Sequence, residues 1–125
     1  MITIQIEIAG DRFDAYLDPN LAPKTVQKIL DTLPIETRIN RWGDEFYFRI
    51  PVNHPIENGT ESLRVGDLAF WSAGSAFCIF FGLTPMSTSL DHLVPASPVN
   101  PLGKIESPEQ LKKYSDGDIV RITLA

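Results

Sequence analysis

The densest grouping of chemically capable side chains in this sequence is Asn40, Trp42, Glu45, Tyr47 and Arg49. They approach and then occupy a run from Glu45 to Val52 whose aromatic content suits a strand. In extended backbone the two-residue period puts Glu45, Tyr47 and Arg49 on one face and Phe46, Phe48 and Ile50 on the other. The second set reads as core. The first set, with Asn40 and Trp42, mixes hydrogen-bonding, aromatic and charged groups, the combination that binding pockets use to orient a ligand. The competing reading is a charged edge strand that resists pairing with other chains.

Further candidates come from two other strand-like runs. Trp71 and Phe80, with Trp42, Tyr47 and Phe81, read as core and rim packing, yet tryptophans near turns also suit ligand stacking. Cys78 lies in an apolar run, where a free cysteine behaves as a small hydrophobe rather than a nucleophile. Trp71, Cys78 and Phe80 complete the candidate ligand-binding set. Glu45, Glu57 and His54 are the side chains available as acid or base, although His54, beside Pro55, reads more readily as a solvated loop residue. His92 is a weaker candidate still.

Composition narrows the chemistry. The chain has 125 residues, 43% hydrophobic and 22% charged, which suits one folded domain with its own core. A net charge of −5 disfavours phosphate backbones and anionic lipid surfaces as partners. The longest apolar stretch, Leu68 to Leu83, is interrupted by Ser72, Gly74 and Ser75 and is shorter than the ~20 residues of a membrane-spanning helix. Alternating isoleucines at the start do not resemble a signal peptide, so a cytoplasmic location is expected. One cysteine and two histidines give no zinc spacing. Neither a phosphate-cradling glycine loop, a nucleophile motif nor a cofactor fingerprint is present, so no metal and no cofactor are expected.

The elements that must position these residues are mostly strands. Ile2, Ile4, Ile6 and Ile8 alternate with Thr3, Gln5 and Glu7, as on a strand with one buried face. Gly10 and Asp11 read as a turn, and Phe13, Ala15 and Leu17 as the returning strand. Pro23, followed by Val26, Ile29, Leu30 and Leu33 at three- and four-residue steps, predicts a short amphipathic helix stopped by Pro34. Ser107, Pro108 and Gln110 predict a second, with Ser107 as N-cap, Gln110 as capping-box partner, and Leu111 and Tyr114 facing inward. Strands are expected at Glu45 to Val52, Leu68 to Trp71, Ala76 to Phe81 and Ile119 to Leu124, with proline-rich loops at 51–55 and 85–108. Terminal strands need paired edges, which a closed barrel capped by two short helices supplies.

Four segments carry a family resemblance. Ala22-Pro23-Lys24-Thr25-Val26 is similar to the A-P-K-T-V that opens the first helix of cyclophilins, the prolyl isomerase family. Phe48-Arg49-Ile50 before Pro51 resembles their F-H-R-I-I-P strand, Gly74 to Ile79 resembles G-S-Q-F-F-I, and Leu102-Gly103-Lys104-Ile105 resembles F-G-K-V, all in the same order. The short length, the run from Trp42 to Phe48 and the run from Phe80 to Ser87 look most like the small prokaryotic cyclophilin-like proteins. The resemblance implies a mainly β fold, a closed cyclophilin-like barrel with two short capping helices, spanning residues 1–125.

The resemblance also makes Arg49 the match to the arginine that binds the substrate carbonyl and stabilises the twisted prolyl bond, a task for a planar, permanently charged donor. The rest of the pocket departs from the pattern. The family's glutamine falls on Ala76, its first aromatic on Phe77, its second on Cys78 and its histidine on Val99, while no pocket tryptophan is visible between Leu83 and Pro98. An aromatic after the arginine falls on His54 and a glutamine near Glu57. Two functions follow: a binding module whose groove takes a small molecule or an extended, proline-containing peptide, and a prolyl isomerase with Arg49 as its catalytic residue.

Overall fold

The computed structural model describes residues 1–125. The alternating isoleucines form β1 (Ile2–Ile8), which pairs antiparallel with β2 (Asp11–Leu17) from Ile2 opposite Leu17 to Ile8 opposite Asp11. The connecting turn is Ala9–Gly10, both at positive φ, so Asp11 belongs to the strand and not to the turn as the sequence suggested. α1 (Pro23–Thr32) follows, with Thr25, Val26 and Ile29 buried. β3 (Ile35–Arg38), β4 (Asn40–Arg41), β5 (Glu45–Arg49), β6 (Asp67–Trp71), β7 (Ala76–Phe80), β8 (Asn100–Ile105) and β9 (Ile119–Leu124) complete a nine-stranded sheet in the order β3-β9-β1-β2-β8-β6-β7-β5-β4.

The two ends of that sheet, β3 and β4, are successive in the chain and meet at Ile39, so the sheet curls into a nearly closed barrel. Its seam is stitched across: the Ile39 N–H donates to the Asp118 carbonyl and the Gly117 N–H to the Ile39 carbonyl, both at 2.9 Å. Arg41 adds a second seam. Its Nη1 donates to the carbonyls of Lys112 and Tyr114 at 2.8 Å each, its Nε to the Gly43 carbonyl, and its Nη2 to Asp44 at 2.7 Å. The guanidinium also lies over the Phe81 ring, 5.1 Å from its centre, so its whole planar fork is used.

Inward side chains fill the barrel, including Ile4, Ile6, Ile8, Phe46, Phe48, Phe77 and Ile79. A second, smaller core of Leu63, Ala69, Cys78, Phe80, Leu93 and Val99 lies on the outer face of β6 and β7, where segments 51–66 and 81–99 fold over the sheet. Leu63 and Leu93 bridge these two segments.

β3 and β4 were not expected from the sequence, and three further elements differ from expectation. β8 lies in a stretch read as loop because Pro101 and Gly103 depress strand propensity. Pro101 is accommodated where the β6 pairing shifts register between Leu68 and Ala69. Gly103 is needed because a Cβ there would come within 1.9 Å of the Tyr16 carbonyl oxygen. The second helix is 3₁₀, Pro108–Lys113, and Ser107 stands in the left-handed region and caps nothing with its side chain; Leu111 and Tyr114 are nevertheless buried as inward anchors. β5 ends at Arg49, three residues before the expected Val52.

Candidate functional site

The expected alternation along β5 holds: Phe46 and Phe48 enter the barrel, while Glu45, Tyr47 and Arg49 line up on the outer face. Across the sheet, Tyr47 stands opposite Cys78, which stands opposite Ala69; Arg49 stands opposite Ala76, which stands opposite Trp71. Residues in register share a face, so three strands present one continuous surface. Trp42 joins it from a tight turn in which the Trp42 and Glu45 backbones exchange N–H···O bonds, with Gly43 at positive φ. Glycine is required there twice over, since a Cβ would lie 2.8 Å from Pro85 and 2.9 Å from the Leu83 carbonyl.

Trp42, Glu45, Tyr47, Trp71 and Ala96 enclose an open pocket of about 160 Å³. The Tyr47 and Trp71 rings stand nearly perpendicular, 84° apart with centres 6.3 Å from one another. Trp71 is held on two sides. Its indole N–H donates to the Ser97 hydroxyl at 2.6 Å, and a Cβ on Gly74 would lie only 2.4 Å from its ring, so the indole lies against a residue that must lack a side chain.

Glu45 supplies the polar group. It is only 5% exposed, and its Oε1 has no hydrogen-bond partner. Burial raises its carboxyl from the usual range to about 7, with the neighbouring Cys78 thiol opposing the shift only partly. Cys78 itself is buried, its thiol 3.9 Å from the Ala76 carbonyl, and burial together with Glu45 pushes its own titration well up. It stays un-ionised in the second core and, unlike the sequence expectation of a ligand-binding residue, does not line the pocket.

The other sequence candidates are distributed around this pocket. Phe80 is fully buried in the second core, beneath the pocket and not on its wall. Asn40 is exposed, its amide donating to the Tyr47 carbonyl at 3.4 Å. Arg49 is exposed and stands beyond Tyr47 on the same face, outside the pocket lining. Phe77, matched by resemblance to a family aromatic, points into the barrel and stacks on Phe48, and Val99, at the histidine position, is buried in the second core. Ala96 and Ser97 went unread, because nothing local to them indicates that a loop returns them to Trp71, and Gly74 was read without its contact to the indole.

His54 and Glu57 serve the scaffold. Ala22 offers no side-chain cap to α1, and Glu57 takes that place from 32 residues away: it accepts from the Lys24 and Thr25 N–H groups at 3.0 Å each and from the Thr25 hydroxyl at 2.8 Å. Burial pushes its carboxyl up, but these donors and His54, 3.7 Å away, outweigh it and leave it below the ordinary range. Asn100, fully buried, locks the capping loop: its Oδ1 accepts from Glu57 and Asn58 N–H, and its Nδ2 donates to Thr25 and to the Pro55 carbonyl. No helix is long and apolar enough to cross a membrane.

A nearly closed antiparallel barrel with a pocket on its outer face, roofed by two long loops, is the class of molecule these features define. The chain belongs to the cyclophilin-like family, whose model matches residues 2–123 under the description "Cyclophilin-like". It is similar to the solution structure of the hypothetical protein AF2241 from Archaeoglobus fulgidus, with 38% identity, a TM-score of 0.83, and coverage of 99% of this chain and 95% of that one. No curated protein matches it.

Proposed function

We propose that this protein is a binding module that takes a small molecule or an extended peptide on the barrel's outer face, with weak or absent prolyl isomerase activity. The observation that carries this reading is the preorganised aromatic pocket: Tyr47 and Trp71 meet at 84°, and Trp71 is pinned by Ser97. A side chain already held in its bound position loses little freedom when a ligand arrives. Isomerisation is the lesser reading because it needs a charged donor converging with a proline-sized pocket. Arg49, the family match for that donor, does not line the pocket.

The test is NMR exchange spectroscopy on a proline-containing reporter peptide, with wild type and Arg49→Ala side by side. The two tryptophans, Trp42 and Trp71, give two indole N–H signals that report occupation of the pocket independently of catalysis. The expected outcome is no acceleration at high protein concentration in either protein. Acceleration by wild type that disappears in a folded Arg49→Ala would overturn the reading in favour of an isomerase.

A further inference from the structure

The pocket's chemistry selects among ligands. Its walls are three aromatic rings, its one charged side chain is an acid, and none of its lining residues is basic. The acid is buried, and one of its oxygens is unpartnered. A buried carboxylate oxygen without a partner is costly unless a donor or a positive charge reaches it. Within the protein only the Cys78 thiol, a weak donor, reaches the acid, and no positive charge does. The charged groups nearby are otherwise engaged or displaced: Arg41, opposite Phe46 on the other face of β5, is tied to Asp44, and Arg49 stands exposed beyond Tyr47. On β7 Phe80 stands directly opposite Glu45, the Cys78 thiol is the one titratable group that acts on it, and Tyr47 is the next outward residue on its own strand. Glu45 lines the pocket, so its carboxylate is the charged group that a ligand entering from the open side meets.

Perpendicular aromatic faces around an acidic group attract an organic cation through the negative faces of the rings, and the attraction strengthens where water is excluded. The volume, about 160 Å³, suits a head group of a few heavy atoms, since an apolar cavity of ~150 Å³ admits a benzene-sized guest. The net charge of −5 favours the approach of a cation at long range. Building on the binding reading above, we propose that the pocket takes the ammonium head of a small organic cation, with Trp42, Tyr47 and Trp71 as its aromatic walls and Glu45 as its counter-charge.

The experiment titrates choline into the wild-type protein while the Trp42 and Trp71 indole signals are followed by NMR. A second arm uses the neutral alcohol in which carbon replaces the ammonium nitrogen, and a third uses the proline reporter peptide. Choline is expected to shift both indole signals and to bind at least about tenfold more tightly than its neutral counterpart. Choline carries a permanent charge, so any pH dependence reports the protein. With the Glu45 carboxyl near 7, its affinity is expected to rise about tenfold from about pH 6 to about pH 8 as the acid ionises. In Glu45→Gln, checked for unchanged fold, the preference and the pH dependence disappear together. Equal, pH-independent binding of choline and the alcohol overturns the cation and leaves the binding module standing, with protonated Glu45 acting as a donor to neutral ligands. Indole shifts with the peptide alone likewise overturn the cation and leave the binding module standing. Silence from all three probes overturns both proposals.

Discussion

Glu45 is the residue at which folding and binding pull in opposite directions. Its carboxyl titrates near 7 in the folded chain against an ordinary value of 4.5. Between those values the folded state keeps a proton that the unfolded chain has released. Its contribution to stability is therefore full below about pH 4.5, declines as pH rises, and levels off above about pH 7, by roughly 3 kcal/mol in all. Glu45→Gln removes that titration while keeping shape and polarity. Urea unfolding at pH 5 and pH 8 is expected to show the variant gaining on wild type by about 2–3 kcal/mol across the interval. A constant difference between the two proteins at both pH values would show that Glu45 is not buried as an acid. Such a residue is what a site under functional demand contains, since a hydrophobic residue there would be more stable.

The helix α1 depends on residues far from it in sequence. Its Ala22 cap position contributes no side-chain acceptor, and Glu57 replaces it, held in place by the buried Asn100 amide. Glu57→Ala is expected to cost about 1–2 kcal/mol, the usual value of a lost cap. Asn100→Ala is expected to cost more, about 3 kcal/mol, because it removes a fully buried amide and at once takes the partner from part-buried backbone groups of Pro55, Glu57 and Asn58 and from the buried Thr25 hydroxyl. Thermal or urea unfolding of both variants measures this ranking. If Asn100→Ala cost less than Glu57→Ala, the capping loop would be organised by something other than the amide. Pro23 and the spacing of Val26, Ile29, Leu30 and Leu33 identified the helix, but its stabilising partner was invisible, because a cap supplied from a distant loop leaves no local spacing to read. The same holds for β8, where Pro101 and Gly103 argue locally against the strand that the Tyr16 backbone requires.

Closure of the barrel rests on Arg41 as much as on strand pairing. Its guanidinium joins β4 to the end of the 3₁₀ helix, and Arg41 sits immediately before the Trp42 turn, so the seam and the pocket share a support. Arg41→Lys keeps the charge but loses the fork that serves four oxygens in different directions. It is expected to lower stability by about 2 kcal/mol and to broaden the Trp42 indole signal, with Trp71 less affected because Ser97 holds it independently. Unfolding and NMR spectra of the variant check both effects. Equal broadening of the two tryptophans would mean that the pocket loosens as one unit.

The amino-acid sequence alone determined the mainly β class, the β1–β2 pairing, the helix at Pro23 and the division of β5 into a core face and a site face. Each of these is a periodicity set by backbone geometry within a few residues. It also brought forward Trp42, Glu45, Tyr47 and Trp71, because their chemistry is unusual for an alternating strand and its turns. Only the tertiary structure decided that Phe80 lies beneath the pocket, that Arg49 stands outside it, that Glu57 caps a helix, and that Ala96, Ser97 and Gly74 complete the site around Trp71. These outcomes depend on how two long loops fold across the outer face of the sheet. Contacts between segments tens of residues apart are set by packing and by the satisfaction of buried polar groups, which no local spacing encodes.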